Sequence, residues 1–268
     1  MAETKMNVQL IAHTLVSEKF AKMFALNETE DALTDVGELF REGVTDGQAV
    51  ALTAIRTCYS ANKPTEIVAK EGAKYFGSKA SDGGAGTDAD RLFRHIFASK
   101  HTSTLEHISF TFAIEGVSRA LLAQLTRHRV GFSFSVQSQR YVRMGSDDRS
   151  GGFDYVVPEK VSNAKTTVDL GDYESTADYL FEEAMMHAQE SYDLLRRAGV
   201  PAEDARAVLP NAAATNLVMT ANLTALLSFY SKRKPGKGAQ KEITELAEAL
   251  RREVVAVEPW TSQFFEEV

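Results

Sequence analysis

Residues 127–141 read Arg-His-Arg-Val-Gly-Phe-Ser-Phe-Ser-Val-Gln-Ser-Gln-Arg-Tyr, and no other stretch gathers as many side chains capable of chemistry. Arg127, His128 and Arg129 put two permanent cations and a titratable ring at the end of a helical pattern. Ser138 and Arg140 follow across an expected loop of small hydroxyl and aromatic residues. Between Arg119 and Arg149 every lysine-or-arginine position is arginine. A solvated charge is served equally well by lysine, whereas the guanidinium fork suits phosphates and ring carbonyls. The plainer alternative is a helix C-terminus whose dipole favours cations. An arginine-only island in a chain of net charge −7 points instead to a small-anion site.

A second concentration lies at residues 101–107, His-Thr-Ser-Thr-Leu-Glu-His. Ser103 and Glu106 have capping-box spacing, which gives them a structural role. His101 and His107 lack the neighbouring cysteine or carboxylate ligands that a zinc site needs, so no metal is expected. The single cysteine, Cys58, excludes an intrachain disulfide and is expected to be a buried structural thiol. The net negative charge argues against general nucleic-acid binding. No apolar run is long enough to span a bilayer, so no membrane partner is expected. Met1-Ala2-Glu3-Thr4-Lys5 lacks the basic-then-apolar pattern of a secretory leader, which makes the expected location cytoplasmic.

The elements that must position these residues follow from periodicity. Val8–Ala12 predicts a buried first strand, and Thr45 with Gln48 predicts a capping box opening a helix to Arg56. Ser60–Pro64 and Gly77–Gly86 are loops. Leu92, Phe93, Ile96 and Phe97 have helical spacing, and Ile108, Phe110, Phe112 and Ile114 alternate as in a strand. Val117–Thr126 predicts a helix delivering the arginine triplet. Phe153, Tyr155 and Val157 predict a strand closed by Pro158. Ser175–Arg197 predicts a long helix stopped by Gly199, and Pro201 opens another to Leu209. Asn216–Ser231 and Gln240–Val257 predict two more helices. Strands and helices mix without a βαβ rhythm, so one α+β domain over 1–268 is expected, with helices packed on a mixed or antiparallel sheet.

Taken together, the triplet with Ser138 and Gln139-Arg140-Tyr141 resembles the motif of the flavin-dependent thymidylate synthases. The block from His101 to His107-Ile-Ser-Phe-Thr-Phe, Gln124, Ala205-Arg206-Ala-Val-Leu-Pro210, Asn222, Arg233, Ala239-Gln240-Lys-Glu242 and Pro259-Trp260 occur in the same order. The resemblance implies a homotetramer whose active site is shared between subunits. It implies FAD as cofactor, dUMP as substrate, 5,10-methylenetetrahydrofolate as carbon donor and NADPH as reductant. Residue by residue, it places His101, Ser103, Arg127, His128, Arg129, Asn222 and Ser228 at the flavin. It places Gln124, Arg127, Gln137, Ser138, Arg140, Arg206 and Arg233 at the nucleotide, with Arg233 catalytic against the uracil. Methylation at C5 needs electron density on that carbon. It is obtained either by a cysteine adding at C6 or by fixed cations stabilising charge on the ring. One cysteine and many arginines fit the second route.

The match departs in two places. Eight residues, Val130 to Gln137, separate the triplet from Ser138 where the family has seven, which leaves Val136 or Gln137 for the polar role beside the nucleotide; Gln137 is favoured. Thr224 stands where many members have arginine, and Ser228 where a larger polar residue is common. A related flavin-dependent one-carbon transferase, such as a hydroxymethylase, or a non-catalytic nucleotide-binding homologue are the alternatives.

Overall fold

The computed structural model describes residues 1–25, 40 and 43–268. A four-stranded antiparallel sheet has the order β1-β2-β6-β3, built from β1 (Asn7–His13), β2 (Ser109–Ser118), β3 (Phe132–Val136) and β6 (Ala214–Asn222). A separate small hairpin pairs β4 (Val168–Asp169) with β5 (Glu174–Ser175). In the central pair, Phe110 lies opposite Ala221, Phe112 opposite Met219 and Ile114 opposite Leu217. All six are buried, so one sheet face carries the core. Each large side chain there contributes about 1.5–3 kcal/mol relative to exposure. On the other face Thr111 and Thr220 share a hydrogen bond of 2.9 Å.

Helices cover the apolar face. The helices among the described residues are α1 (Glu18–Ala25), α2 (Asp46–Tyr59), α3 (Ile67–Phe76), α4 (Asp88–Ala98), α5 (Arg119–Leu125), α6 (Glu159–Ser162), α7 (Ala177–Arg197), α8 (Ala202–Ala205), α9 (Leu223–Arg233), α10 (Lys241–Val257) and α11 (Ser262–Glu267). Residues of α2, α4, α9, α10 and α11 join the sheet in the main core. A smaller cluster of Met144, Phe153, Met185, Tyr192, Ala205 and Ala213 forms around α7. The α+β class with an antiparallel sheet agrees with the sequence.

Several local expectations need correction. β1 is an edge strand with Ile11 53% exposed, so its apolar residues do not mark a buried strand. The hydroxyl-rich segment after the triplet is β3, paired with β6 from Phe132↔Ala221 to Val136↔Leu217. Residues 214–222 form strand β6, which takes up 216–222 of the expected helix 216–231; the side chain of Asn222 then caps α9 by accepting from Ala225 N at 2.8 Å. Alternating Thr215, Leu217, Met219 and Ala221 are buried, and β-branched Thr215, Val218 and Thr220 favour the pleat. Phe153–Val157 makes only isolated bridges, Tyr155 to Glu3 and to Ala213. The capping box at Thr45 forms as expected, whereas Ser103 and Glu106 sit in a 3₁₀ turn whose cap position is His101 and which has no side-chain cap.

Candidate active site

The triplet leaves the C-terminus of α5 and turns back into β3 at Gly131, which has φ +74°. A Cβ there would meet Ala225 Cβ and Asn222 Nδ2, both at 2.8 Å, so only glycine fits between α9 and the triplet. The turn directs Arg127 and Arg129 outward, and neither joins an ion pair among the described residues. His128 turns inward, edge-on to Phe229 with ring centroids 4.9 Å apart. Arg233, at the last turn of α9, directs its Nε to His128 Nε2 at 3.4 Å. Burial, then the charges of Arg233, Lys232 and Arg127, lower the imidazole pKa below its ordinary 6.5. The neutral ring can therefore accept from Arg233 instead of repelling it. Gln124 on α5 donates to Gln240 Oε1 at 2.6 Å and closes the same end of the molecule.

A second group forms around residues 137–141 and α8. Val136 packs against the main core, while Gln137 is held by Asn216, whose Nδ2 donates to Gln137 Oε1 at 3.1 Å. The Ser138 hydroxyl accepts from Arg140 N at 3.2 Å. Arg140 places Nε and a terminal nitrogen 3.0 and 2.9 Å from Glu203 Oε2. Arg206 donates from Nε to the carbonyl oxygen of Glu203 at 2.9 Å. Glu203 thus holds one edge of each guanidinium, Arg140 by its carboxylate and Arg206 by its backbone. Free N–H groups remain on both forks for an anion. The charge of Arg206 also reaches Arg119, lowering the pKa of that half-buried arginine after burial has done so.

A third group sits at the other end of α9. His101 Nδ1 lies 3.0 Å from the hydroxyl of Tyr59, and the two rings meet edge to face. Thr224 donates to Thr102 O at 2.8 Å, fastening the 3₁₀ turn with Ser103 to the start of α9. Ser103 and Ser228 are both exposed. Thr102, Thr224 and Ser228 help line an open cavity of about 360 Å³. Asn222 spends its side-chain oxygen on the helix cap. With eleven residues, α9 separates this end from Arg233 by about 16 Å.

Within one chain the residues singled out in the sequence therefore form three groups instead of one pocket. Cys58 is exposed on α2, with its thiol directed at Ala54 O at 3.7 Å, which corrects the expectation of a buried thiol. Two participants carried no sequence signal of their own, Glu203 and Tyr59. Glu203 lies three residues before Arg206 on one helical turn, a spacing that could have drawn attention to it. No described helix is long and apolar enough to cross a membrane.

Residues 42–260 match the sequence profile of the family described as thymidylate synthase complementing protein. A flavin-dependent thymidylate synthase of Geobacter sulfurreducens is 39% identical over 214 residues, covering 80% of each chain. Another from Haloarcula marismortui is 34% identical over 189 residues, 66% of this chain and 75% of that one. Among solved structures, a UMP/dUMP methylase of Streptomyces cacaoi bound with 5-Br dUMP superimposes with a TM-score of 0.65. It is 21% identical and covers 99% of this chain and 97% of that chain, a likeness of fold. With the profile spanning most of the sequence and the motifs in order, the chain belongs to the flavin-dependent thymidylate synthase family.

Proposed function

We propose that this chain converts dUMP to dTMP by reductive methylation, taking the carbon from 5,10-methylenetetrahydrofolate. FAD would supply the reducing equivalents, which NADPH would replenish. The observation that carries the reading is the meeting of Arg233 with a neutral His128 of the triplet, a cationic site with no carboxylate within ion-pair distance among the described residues. A guanidinium left unneutralised stabilises negative charge as it develops on the uracil oxygens and raises electron density at C5. His128 fixes the Nε edge of Arg233 and leaves its terminal nitrogens for the ring. Arg140 and Arg206, already oriented by Glu203, take the phosphate, and Ser138 adds a hydroxyl beside them. Gln137 reaches towards the nucleotide from the end of β3.

The flavin belongs with His101, Ser103, Asn222 and Ser228, and with the triplet of an adjoining subunit. The cavity beside Ser228, lined chiefly by apolar surface, has the size, within roughly 300–1,000 Å³, to hold part of an extended dinucleotide. FAD supplies hydride, and the side chains supply position and charge. The 16 Å length of α9 separates these groups within one chain, which supports completion of the site by other copies in a homotetramer.

Purified protein is expected to be yellow, and dUMP with methylenetetrahydrofolate is expected to reoxidise its reduced flavin. Mass analysis of the product distinguishes a methyl from a hydroxymethyl group. A folded protein that takes up no FAD, or a hydroxymethylated product, overturns the reading.

A further inference from the structure

Arg119, the first residue of α5, is built into the segment that follows Arg206. Arg119 N donates to Ala213 O and Ala120 N to Asn211 O, both at 3.0 Å. That segment is folded back on itself, with Leu209 N bonded to Arg206 O and Ala213 N to Pro210 O, each at 3.0 Å. The start of α5 therefore lies against the chain leaving the turn Arg206–Val208, and the charge of Arg206 is felt at Arg119. The Arg119 side chain is partly buried, yet among the described residues it has no ion-pair or hydrogen-bond partner. Every other partly buried arginine among them has one. Arg56, Arg91, Arg94 and Arg251 meet carboxylates within 3.2 Å. Arg196 and Arg206 donate to backbone carbonyls, and Arg233 to His128.

A guanidinium drawn out of water without a hydrogen bond, and set beside another cation, costs the fold stability. The fold gains no polar contact from it, so the position asks for an anion from outside the chain. The neighbouring group sets the charge of that anion. Arg140 and Arg206 bring two positive charges to Glu203, whose carboxylate takes back one. With Arg119 the excess of these four side chains rises to two. A phosphate monoester carries about −1.5 to −2 near pH 7, which matches that excess, whereas a single carboxylate does not. We infer that Arg119 binds the phosphate of the nucleotide alongside Arg140 and Arg206. The inference rests on the nucleotide reading above. It adds a third guanidinium, delivered by α5, and makes the group selective for a nucleotide over the uncharged nucleoside.

Titration calorimetry of the FAD-loaded protein with dUMP tests this, with thermal unfolding and sedimentation run in parallel. Arg119→Met and Arg119→Gln are each expected to weaken dUMP binding by roughly tenfold or more, the loss of one charge-assisted contact, and to flatten its dependence on salt. Inhibition by deoxyuridine, which has no phosphate, is expected to be unchanged, as are FAD binding and kcat at saturating dUMP. Without dUMP the thermal midpoint of either variant is expected to equal or exceed that of wild type, because the substitution removes an unpaired charge. Arg119→Lys keeps the charge and is expected to recover part of the affinity. dUMP affinity equal to wild type in both neutral variants overturns the inference while leaving the nucleotide reading intact. So does a lower midpoint without dUMP or a loss of oligomeric mass, either of which makes Arg119 structural. A folded wild-type protein that binds no dUMP overturns the nucleotide reading as well.

Discussion

Two groups of arginines on this chain are held in opposite electrostatic states. Arg140 and Arg206 meet at Glu203, one through the carboxylate and one through the carbonyl. Arg233 meets His128, a ring kept neutral by burial and then by the charges of Arg233, Lys232 and Arg127, and none of Arg127, Arg129 and Arg233 has an ion-pair partner among the described residues. A partly neutralised and pre-oriented pair suits a charge that is present throughout, such as a phosphate. An unneutralised group exerts its strongest effect on charge that appears only as the reaction proceeds, because stabilisation of the transition state over the ground state is what accelerates it. Under the proposed function, the first group serves binding and the second serves rate.

The sharpest way to break this contrast is Arg233→Ala. Turnover is expected to fall on the order of 10²–10³-fold with the flavin spectrum and dUMP affinity largely kept, the cost of one preorganised charge. Loss of dUMP affinity with kcat unchanged would place Arg233 in the binding group instead. The next effect comes from Gly131→Ala, which forces a Cβ against Ala225 and Asn222 at a φ of +74°. A stability loss of about 1–3 kcal/mol is expected in urea unfolding, with turnover falling as the triplet shifts. Wild-type stability and activity in this variant would show that the turn does not position His128.

The sheet core was legible because Phe110, Phe112 and Ile114 alternate without interruption. β3 was not, since Ser133 and Ser135 point to an open face and mimic a polar loop. β6 was misjudged because apolar residues on both of its faces blur the two-residue period. The triplet and Arg233 stood out by residue type and family motif, but neither reveals that His128 accepts from Arg233. That contact depends on the last turn of α9 bringing Arg233 beside His128, more than a hundred residues away in sequence. Glu203 was invisible for a different reason. In an acidic chain its three-residue spacing from Arg206 is too common to single it out until α8 carries it to Arg140.

Glu203 is accordingly the test of the binding half of the comparison. Glu203→Ala is expected to weaken dUMP about tenfold, with kcat at saturation and FAD binding unchanged, since Arg140 loses the support that aims its fork. In an Arg140→Ala background the same substitution should have no further effect, because Glu203 acts through Arg140. Tighter dUMP binding in Glu203→Ala would instead make the carboxylate a competitor for the phosphate. Stability is expected to change little, both side chains being about half exposed.

The smallest effect belongs to His128 and reads the other half. Its folded pKa lies below 6.5, so between that lower value and 6.5 the unfolded chain binds more protons than the folded one. The neutral ring's contribution to stability is therefore fully present above pH 6.5 and is lost as pH falls through the folded value. Protonation also sets a further cation against Arg233 and removes the acceptor that holds its Nε. Thermal midpoints of wild type and His128→Gln compared from pH 7.5 down to 5 should converge as the pH falls, because glutamine does not titrate. A gap that stays constant across that range would mean that the ring is not held neutral by its neighbours. The unneutralised character of the Arg233 group would then need another explanation.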